Sequence, residues 1–253
     1  MKVSFLGTGT SQGVPVINCS CAVCTSLDYR DKRLRSSLLI QDGSKNVVID
    51  CGPDFRQQAL TQRIPRLDAV LFTHEHKDHV GGLDDIRPYN YQQQADIPVF
   101  ASNQVIEHLR LEYPYIFTEV KYPGIPKIEI FEMDGSPFEA AGIPFLPIQV
   151  YHHKLPVWGY RIKDFTYITD ANHIEDIEKA KIEGSRILVL NALQIEPHIS
   201  HFNLEQALEM VEHLQPEFAY FTHISHRLGV HQEISEQLPD NVQLAYDGLS
   251  LTI

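Results

Sequence analysis

The stretch LFTHEHKDHVGG, residues 71–82, restricts what this chain can fold into more than any other part of it. It places His74, His76, Asp78 and His79 within six positions, after the apolar run LDAVLFT and before VGGLDDIR, which reads as a helix start. The alternative, a solvated polar loop, does not explain why a strand-like run precedes the cluster and a helix start follows it. A junction between a strand and a helix holds side chains rigidly and aims them into a cleft, so the pattern predicts one wall of a metal site.

The spacing within this stretch indicates how the ligands are divided. His74 and His76 are two residues apart, so in an extended backbone both side chains point the same way. Asp78 and His79 follow as the chain turns, where they can face a second ion. Neutral imidazoles hold Zn²⁺ or Mn²⁺ without quenching their Lewis acidity. Two ions need more ligands than these four residues supply, so further ligands are expected downstream.

Three later segments offer such ligands. VYHHKLPVWGYRI contains His152 and His153, and because alternate residues of a strand face opposite sides, only one of them turns easily toward a cleft. Asp170 and His223 each end a strand-like run, TYITD and AYFTH. Asp170 also precedes DANHIEDIEKA, which resembles a helix start, so a helix-capping role is the alternative for this residue.

The rest of the chain alternates between short β-branched runs and helical patterns, which predicts a layered α/β protein in one domain over residues 1–253. The strand-like runs are KVSFL, SSLLI, NVVID, LDAVLFT, IPVFA, KIEIF, IPFLPIQV, FTYITD, RILVLN and FAYFT. The helical segments are 53–63, 80–88, 103–112, 174–182 and 203–214. Residues 113–127, rich in aromatics and prolines, are expected to form a loop over a site.

A second metal site is indicated near the amino end. The segment NCSCAVC spaces Cys19, Cys21 and Cys24 too closely for comfortable mutual disulfides, and three thiolates suit a tetrahedral zinc that lacks one ligand. Unligated buried thiols or a redox pair are the alternatives. Cys51 is a candidate for the fourth ligand, but it lies inside VVIDCGPD and is expected to be a core thiol.

The overall charge limits the partners. A formal net charge of -12 disfavours broad electrostatic binding to DNA, long RNA or anionic membranes. It leaves a phosphate substrate open, because bound divalent ions invert the local field. With no visible signal peptide or membrane-spanning stretch, the cytoplasm is the expected location and no membrane partner is expected. A homodimer is compatible with the sequence.

The H-x-H-x-D-H arrangement resembles the signature of the metallo-β-lactamase fold superfamily. SFLGTGTSQGVP is similar to the opening strand and glycine loop of that superfamily, and VVIDCGPD to its second motif. The resemblance extends over nearly the whole chain. It implies a four-layer αββα sandwich with two mixed sheets and outer helices, in which Asp50 supports the metal ligands from behind.

The resemblance also implies a ligand set for two divalent ions, Zn²⁺ or Mn²⁺. The implied ligands are His74, His76 and His153 for one ion, Asp78, His79 and His223 for the other, and Asp170 between them. His153 is selected over His152 because the superfamily places its ligand six residues before the glycine of a GY pair. Aspartate at position 170, where true β-lactamases of this fold have cysteine, resembles the phosphodiesterase branch.

Two further roles follow from one group in the superfamily, the phosphodiesterase of the carbon–phosphorus lyase pathway, which carries a similar cysteine triplet. Its pattern implies that His226 completes a structural zinc site with the three cysteines. SHFNLEQA resembles the motif H-x-(N/D)-L-x-x-A, which implies that His201 acts on the substrate, with Asp78 as the other catalytic residue. Asn191 stands where relatives often have an acidic residue, so the hydrogen bonding around Asp170 or His201 is expected to differ.

The implied function is a metal-dependent phosphodiesterase that opens a small phosphodiester, such as a cyclic ribose or nucleoside phosphate, by attack of a metal-bridging hydroxide. A tRNA 3′-processing endonuclease similar to tRNase Z is the second candidate. The acidic charge and the lack of a basic Gly/Pro-rich insertion between Tyr151 and His223 make nucleic acid the less favoured substrate. A thioester or lactone hydrolase is the third candidate, and a metal-binding scaffold without catalysis is the fourth.

Overall fold

The computed structural model of the chain describes residues 1–118 and 124–253. Of the predicted loop 113–127, the part at 119–123 therefore lies outside the described residues. In the described part, Pro114–Ile116 forms one turn of 3₁₀ helix and the Tyr113 hydroxyl donates to the Val80 carbonyl at 3.0 Å. This beginning of the segment thus packs against the turn that follows the histidine cluster.

The described residues form fourteen strands in two sheets of seven. The strands are β1 (Lys2–Gly7), β2 (Ser37–Asp42), β3 (Lys45–Ile49), β4 (Ala69–Leu71), β5 (Ile97–Ala101), β6 (Ile128–Glu132), β7 (Phe138–Ala140), β8 (Ile143–His152), β9 (Leu155–Ile162), β10 (Phe165–Tyr167), β11 (Ile187–Asn191), β12 (Phe218–Thr222), β13 (Val242–Leu244) and β14 (Ser250–Thr252). The first sheet has the order β14-β1-β2-β3-β4-β5-β6, and the second β13-β12-β11-β10-β9-β8-β7.

Both sheets are mixed, as predicted. In the first, β14, β1, β2 and β3 pair antiparallel and β3 to β6 pair parallel. In the second, β7 to β10 pair antiparallel and β10 to β13 pair parallel. Each of the ten predicted runs contains a strand. β7, β9, β13 and β14 were not predicted, since three of them are only three residues long and β9 contains Pro156 and Gly159, which weaken a strand pattern.

Helices cover the outer faces. They are α1 (Ala22–Thr25), α2 (Phe55–Gln62), α3 (Lys77–Val80), α4 (Arg87–Gln93), α5 (Asn103–Glu112), α6 (Asp176–Ile182), α7 (Leu204–Leu214) and α8 (His231–Ser235). The predicted helix 80–88 is wrong: α3 ends before Gly81, a 3₁₀ turn spans Leu83–Ile86, and α4 starts at Arg87. A Cβ at Gly82 would lie 2.0 Å from the Gly52 carbonyl oxygen, so this glycine lets two loops touch and a continuous helix does not form.

Three apolar clusters confirm the four-layer αββα sandwich. The inner faces of the sheets meet in a core that includes Phe5 and Ile49 from the first sheet and Phe145 and Tyr160 from the second. A second cluster joins the first sheet to α2, α4 and α5, and a third joins the second sheet to α6, α7 and α8. No helix among the described residues is both long enough and apolar enough to cross a membrane.

The parallel strands position the site. In a parallel pair the carboxyl ends lie at the same edge of the sheet, so the loops that follow them converge there. The histidine-rich segment follows β4, Asp50 follows β3, and the predicted ligands Asp170 and His223 follow β10 and β12. The sandwich therefore brings residues distant in sequence to one edge.

Candidate metal centre

The histidine cluster begins in extended backbone and ends in a short helix. His76 is the N-cap of α3, which places Asp78 and His79 in the first turn. His74 is fully buried, and its Nε2 lies 3.0 Å from Nδ1 of His76. The rings of His74 and His76 are thus adjacent, with centroids 4.6 Å apart, and Nε2 of His79 lies 3.2 Å from the Asp78 carboxylate.

The opposite wall comes from the second sheet. Asp170 and His223 are both buried, and their backbone φ angles are 58° and 54°, in the left-handed region that residues other than glycine rarely adopt. Asp50 shares this feature, with φ of 62°. Such backbones cost free energy and concentrate at functional sites, where they aim a side chain at a particular point. Here the Nε2 of His223 lies 3.1 Å from the Asp170 carboxylate.

One group of possible ligand atoms lies within 4.8 Å of one another, from Asp78, His79, Asp170 and His223. The Nε2 of His79 lies 3.2 Å from Asp78 and 3.3 Å from Asp170. Asp170 is the shared member, because its carboxylate also lies 3.2 Å from Nε2 of His201. Asp170 does not cap a helix: the N-cap of α6 is Glu175.

Hydrogen bonds behind the rings fix which nitrogen of each histidine is free. The Ser36 hydroxyl donates to the Gly9 carbonyl at 3.0 Å, so it accepts from Nδ1 of His223 at 3.1 Å. Thr73 Oγ1 likewise donates to Asp50, so it accepts from Nδ1 of His74 at 2.9 Å. In both rings the lone pair is left on Nε2, which faces the centre of the cluster.

His79 is held in the same way, through its Nδ1–H to the Asp50 carboxylate at 2.7 Å. Its buried Nε2 has no hydrogen-bond partner among the described residues. A lone pair on this atom would face the carboxylates of Asp78 and Asp170, which is repulsive unless a positive charge lies between them. Such an arrangement suits a metal cation.

The electrostatics of the cluster favour a cation for the same reason. Burial opposes the charged form of His79, but the carboxylates of Asp170, Asp78 and Asp50 outweigh it and raise the pKa of His79 well above its usual value. Burial lowers the pKa of His74 well below its usual value and that of His223 to about 4, so both are neutral near pH 7. Neutral imidazoles and ionised carboxylates are the forms that bind Zn²⁺ and Mn²⁺.

The structure places His152, and not the predicted His153, beside the cluster. β8 ends at His152, which pairs with Leu155, so His153 and Lys154 are the corners of a two-residue hairpin turn and both are exposed. His153 has φ of 58°, the left-handed backbone that such turns require. The ring of His152 instead lies 5.1 Å from that of His76 and 4.4 Å from that of His201, measured between centroids. The GY spacing misled because it ignored this turn.

His152 is oriented like the other histidines. Its Nδ1 lies 3.2 Å from the Asp170 backbone carbonyl and donates to it, which leaves the lone pair on Nε2. Partial burial lowers the pKa of His152 to about 4. A pairing of Tyr151 with His173 on the next loop fixes the end of β8 against the Asp170 turn. The sequence analysis did not choose His152. A two-residue hairpin turn at residues 153 and 154 would have indicated it, because His152 is then the last residue of the strand.

His201 lies beside the cluster, as the motif implied. It is buried two residues before Asn203, which caps α7. The Asn203 side chain accepts from the Gln206 amide, and the Gln206 side chain accepts from the Asn203 amide, so this start of the helix is fixed on both sides. The side chain of Asn191 makes hydrogen bonds to Ala171 and not to His201. Its Oδ1 accepts from the Ala171 backbone N–H at 2.7 Å, and its Nδ2 donates to the Ala171 backbone carbonyl at 2.9 Å.

The second predicted site is assembled from both ends of the chain. Ligand atoms of Cys19, Cys21, Cys24 and His226 all lie within 4.8 Å of one another, and Nδ1 of His226 lies 3.4 Å from the sulfurs of Cys19 and Cys21. A hydrogen bond from the Cys24 amide, with His226, lowers the pKa of Cys21 to about 6. Cys51 is fully buried elsewhere, in the cluster beneath α2, so it is a core thiol as predicted.

Comparison with known proteins identifies the family. Residues 45–224 match the family described as the beta-lactamase superfamily domain, and this range contains most of the cluster. The chain belongs to the beta-lactamase superfamily. The chain is 37% identical over 236 residues to coenzyme PQQ synthesis protein B of Methylorubrum extorquens strain AM1, an alignment that covers 78% of this chain and 74% of that protein.

A longer relative is also similar. This superfamily member is 41% identical over 256 residues to an octanoyltransferase of Porphyromonas gingivalis, an alignment that covers 100% of this chain. The chain spans only 52% of the length of that protein.

Solved structures show the same architecture. A diphosphatase from the PhnP family superposes with a TM-score of 0.93 at 39% identity, covering 100% of this chain and 97% of the other. Zn²⁺-bound PqqB from Methylobacterium extorquens has a TM-score of 0.80 at 20% identity, covering 100% of both chains. Human tRNase Z, short form, has a TM-score of 0.69 at 17% identity, covering 100% of this chain and 99% of the other. The last two are similar in fold.

Proposed function

We propose that this chain is a metal-dependent hydrolase of small phosphodiesters. The observation that carries the proposal is the position of the Asp170 carboxylate, 3.3 Å from His79, 3.1 Å from His223 and 3.2 Å from His201. It lies between two sets of histidines whose lone pairs face it. The similar PhnP-family structure is a diphosphatase, which also acts at phosphorus, and this supports the substrate class.

The residues suit two divalent cations, Zn²⁺ or Mn²⁺. His74, His76 and His152 would hold one, Asp78, His79 and His223 the other, with Asp170 shared. When bound, such a pair lowers the pKa of a coordinated water and neutralises charge on a phosphoryl group. The cysteine cluster with His226 would hold a structural Zn²⁺, since three thiolates and one imidazole form a closed tetrahedral set.

The chain's own side chains supply the remaining steps. His201 is the buried histidine of the cluster that belongs to neither proposed ligand set. Its Nε2 faces the carboxylate of Asp170. As an imidazolium, with a proton on each ring nitrogen, it is placed to donate from Nε2 a hydrogen bond to a phosphoryl oxygen or a proton to the departing alkoxide, a contribution of about 10²–10⁴-fold. Asp50, Thr73 and Ser36 keep the ligand rings in one orientation throughout.

A small substrate is favoured over tRNA. The net charge of -12 opposes contact with a long phosphate backbone. Between Tyr151 and His223 the described chain consists of β9 to β12, α6, α7 and their connections, and the connection 192–203, between β11 and α7, contains no lysine or arginine. The similarity to tRNase Z is one of fold.

Acyl-ester hydrolysis is the second candidate. One relative, of whose length this chain spans 52%, is an octanoyltransferase. A groove of about 760 Å³ runs along α7, and its walls include Leu204 and Leu208 as well as Glu205, Glu209 and Glu212. The phosphodiester proposal is preferred because a thioester needs no counterpart of His201.

The test combines metal analysis with a substrate panel. The protein is loaded with Zn²⁺ or Mn²⁺ and assayed with an activated aryl phosphodiester, 2′,3′-cyclic nucleotides, cyclic ribose phosphates, a nucleoside diphosphate, precursor tRNA and an octanoyl thioester. We expect turnover of phosphodiesters, reduced at least about 100-fold in Asp170→Ala, because losing a shared ligand costs more than losing an outer partner. Asp240→Ala, at an exposed site, is the matched control. Turnover of the thioester alone would overturn the proposal.

A further inference from the structure

His201 has a partner that the sequence motif does not predict. Its Nδ1 faces away from Asp170 and lies 3.2 Å from Nδ1 of His198 and 3.2 Å from the Ser200 hydroxyl. His198 belongs to the connection between β11 and α7, where it is exposed at the surface. The two rings are 5.1 Å apart between centroids.

Hydrogen-bond counting gives the direction of this contact. The Ser200 backbone N–H donates to Nδ1 of His198 at 3.4 Å, so this nitrogen carries a lone pair. Two nitrogens at 3.2 Å need one proton between them, and it therefore resides on Nδ1 of His201. With its Nδ1–H committed in this way, His201 presents Nε2 to the cluster in a fixed ring orientation.

Among the described side chains, only His198 and Ser200 lie within hydrogen-bond distance of Nδ1 of His201. Asn191, at the position where an acidic residue was expected, uses both atoms of its amide on the backbone of Ala171. Burial together with the nearby His201 and Arg227 lowers the pKa of His198, so this ring is neutral near pH 7 and one of its nitrogens carries a lone pair.

We propose that His198 is the positioning residue of His201, holding the ring through Nδ1 so that Nε2 is presented to the substrate. The proposal rests on the proposed function for the role of His201, and on the geometry alone for the hydrogen bond. His198 touches neither the reacting atoms nor a metal ligand in this arrangement.

Three substitutions of His198 distinguish the loss of its hydrogen bond from the loss of its side-chain volume. The side-chain oxygen of asparagine can take the place of Nδ1 of histidine, whereas the amide of glutamine reaches the place of Nε2. His198→Asn should therefore retain the bond to His201, and His198→Gln and His198→Ala should lose it. His213→Ala, an exposed histidine near the end of α7, is the control.

The kinetic test compares two leaving groups. On an unactivated alkyl phosphodiester we expect kcat of His198→Ala and His198→Gln to fall about 10-fold, while KM and metal content stay unchanged. On an aryl phosphodiester, whose leaving group needs no proton, the fall should be under about 2-fold. His198→Asn should match the wild type on both. Equal losses on both esters, or equal losses in the Asn and Gln variants, would overturn the proposal.

A second readout does not depend on activity. In the Zn²⁺-loaded protein labelled with ¹⁵N, the His201 Nδ1 should appear as a protonated nitrogen whose proton exchanges slowly. This signal should persist in His198→Asn and be lost in His198→Ala. An unprotonated Nδ1 in the wild type would overturn the inference, whichever substrate is turned over. If the wild type hydrolyses no phosphodiester, the proposed function is overturned, but the ¹⁵N signal still tests the hydrogen bond between His198 and His201.

Discussion

At the scale of single residues, the cluster depends on side chains that touch no ion in the proposed arrangement. Ser36 and Thr73 each have one hydroxyl proton, and each gives it to an oxygen, so each can only accept from a histidine. Asp50 accepts from Nδ1 of His79 in the same way. These contacts fix the ring orientation before any cation binds, which reduces the ordering that binding requires.

The adjacent histidines of the β8–β9 hairpin provide a sharp test of the corrected ligand. His152→Ala should reduce the metal content of the purified protein by about one ion per chain and abolish hydrolysis, since a ligand of the proposed first ion is lost. His153→Ala should match the wild type, because its side chain is exposed in the turn. Metal analysis by mass spectrometry checks both. The reverse pattern would make His153 the ligand.

Asp247 makes stability depend on pH. Its carboxylate accepts from the Thr8 hydroxyl and the Leu34 amide, but burial raises its pKa from 3.8 to about 6. The folded chain therefore binds this proton more tightly than the unfolded chain. The contribution of the group is fully present below about pH 4 and is lost as the pH rises through about 6.

The Asp247→Asn variant, which is neutral at every pH, should show this difference. Its free energy of unfolding relative to the wild type should increase by roughly 2–3 kcal/mol between pH 4 and pH 7. Urea unfolding at several pH values measures the difference, in which other titrating groups cancel. Parallel pH profiles for the two proteins would contradict the raised pKa.

At the scale of elements, the site depends on how closely two loops approach each other. The loop after β3 and the turn that carries Asp78 and His79 are in direct backbone contact at Gly52. A Cβ at this position would lie 1.9 Å from the Asp78 carbonyl oxygen, a distance that no small shift of a side chain can relieve. The glycine therefore sets the spacing between Asp50 and the ligand-bearing turn.

Gly52→Ala should consequently cost more than about 3 kcal/mol in the free energy of unfolding and lower the metal content, because the backbone at Asp78 must move. Gly43→Ala is the control. Nothing lies within 4 Å of a Cβ there, and the φ of 56° alone should cost about 1 kcal/mol. Urea midpoints compare the two variants. A Gly52→Ala protein as stable as Gly43→Ala would show that the loops can separate freely.

At the scale of the whole molecule, both clusters join parts of the chain that are far apart in sequence. Cys19 and His226 are separated by 207 positions, and their contact holds the amino-terminal loop against the turn that follows His223. The cluster of histidines and aspartates likewise joins the two sheets, since His79 follows β4 and Asp170 follows β10. Cations at these points would therefore act on folding as well as on chemistry.

Removal of metal should accordingly destabilise the fold. Chelation leaves the carboxylates of Asp50, Asp78 and Asp170 close together without a divalent cation. A cation present at 1,000 times its Kd contributes about 4 kcal/mol, so Tm should fall by about 10 °C and recover on adding Zn²⁺ or Mn²⁺. Cys24→Ser isolates the contribution of the cysteine site. An unchanged Tm after verified metal loss would contradict a role for either cluster in stability.

The sequence alone predicted ten of the fourteen described strands and the grouping of the histidine cluster, and the family resemblance implied the layers and the rest of the proposed ligand set. Short β-branched runs and helical segments have different periods, so β1 to β6 and α5 could be recognised locally. The spacing of His74, His76, Asp78 and His79 is also local, because two residues in a strand and one turn of helix define where these side chains point. The cysteine triplet could be recognised for the same reason.

Only the tertiary structure decided what depends on contacts between distant segments. The choice of His152 over His153 follows from the pairing of β8 with β9, which makes His153 a turn residue. Ser36 and Asp50 contact His223 and His79 across 187 and 29 positions, an approach that no local pattern encodes. The break of the helix predicted at 80–88 follows from the Gly82 contact with another loop. Backbone period is a property of neighbours in sequence, whereas the orientation of an imidazole ring is set by whatever packs behind it.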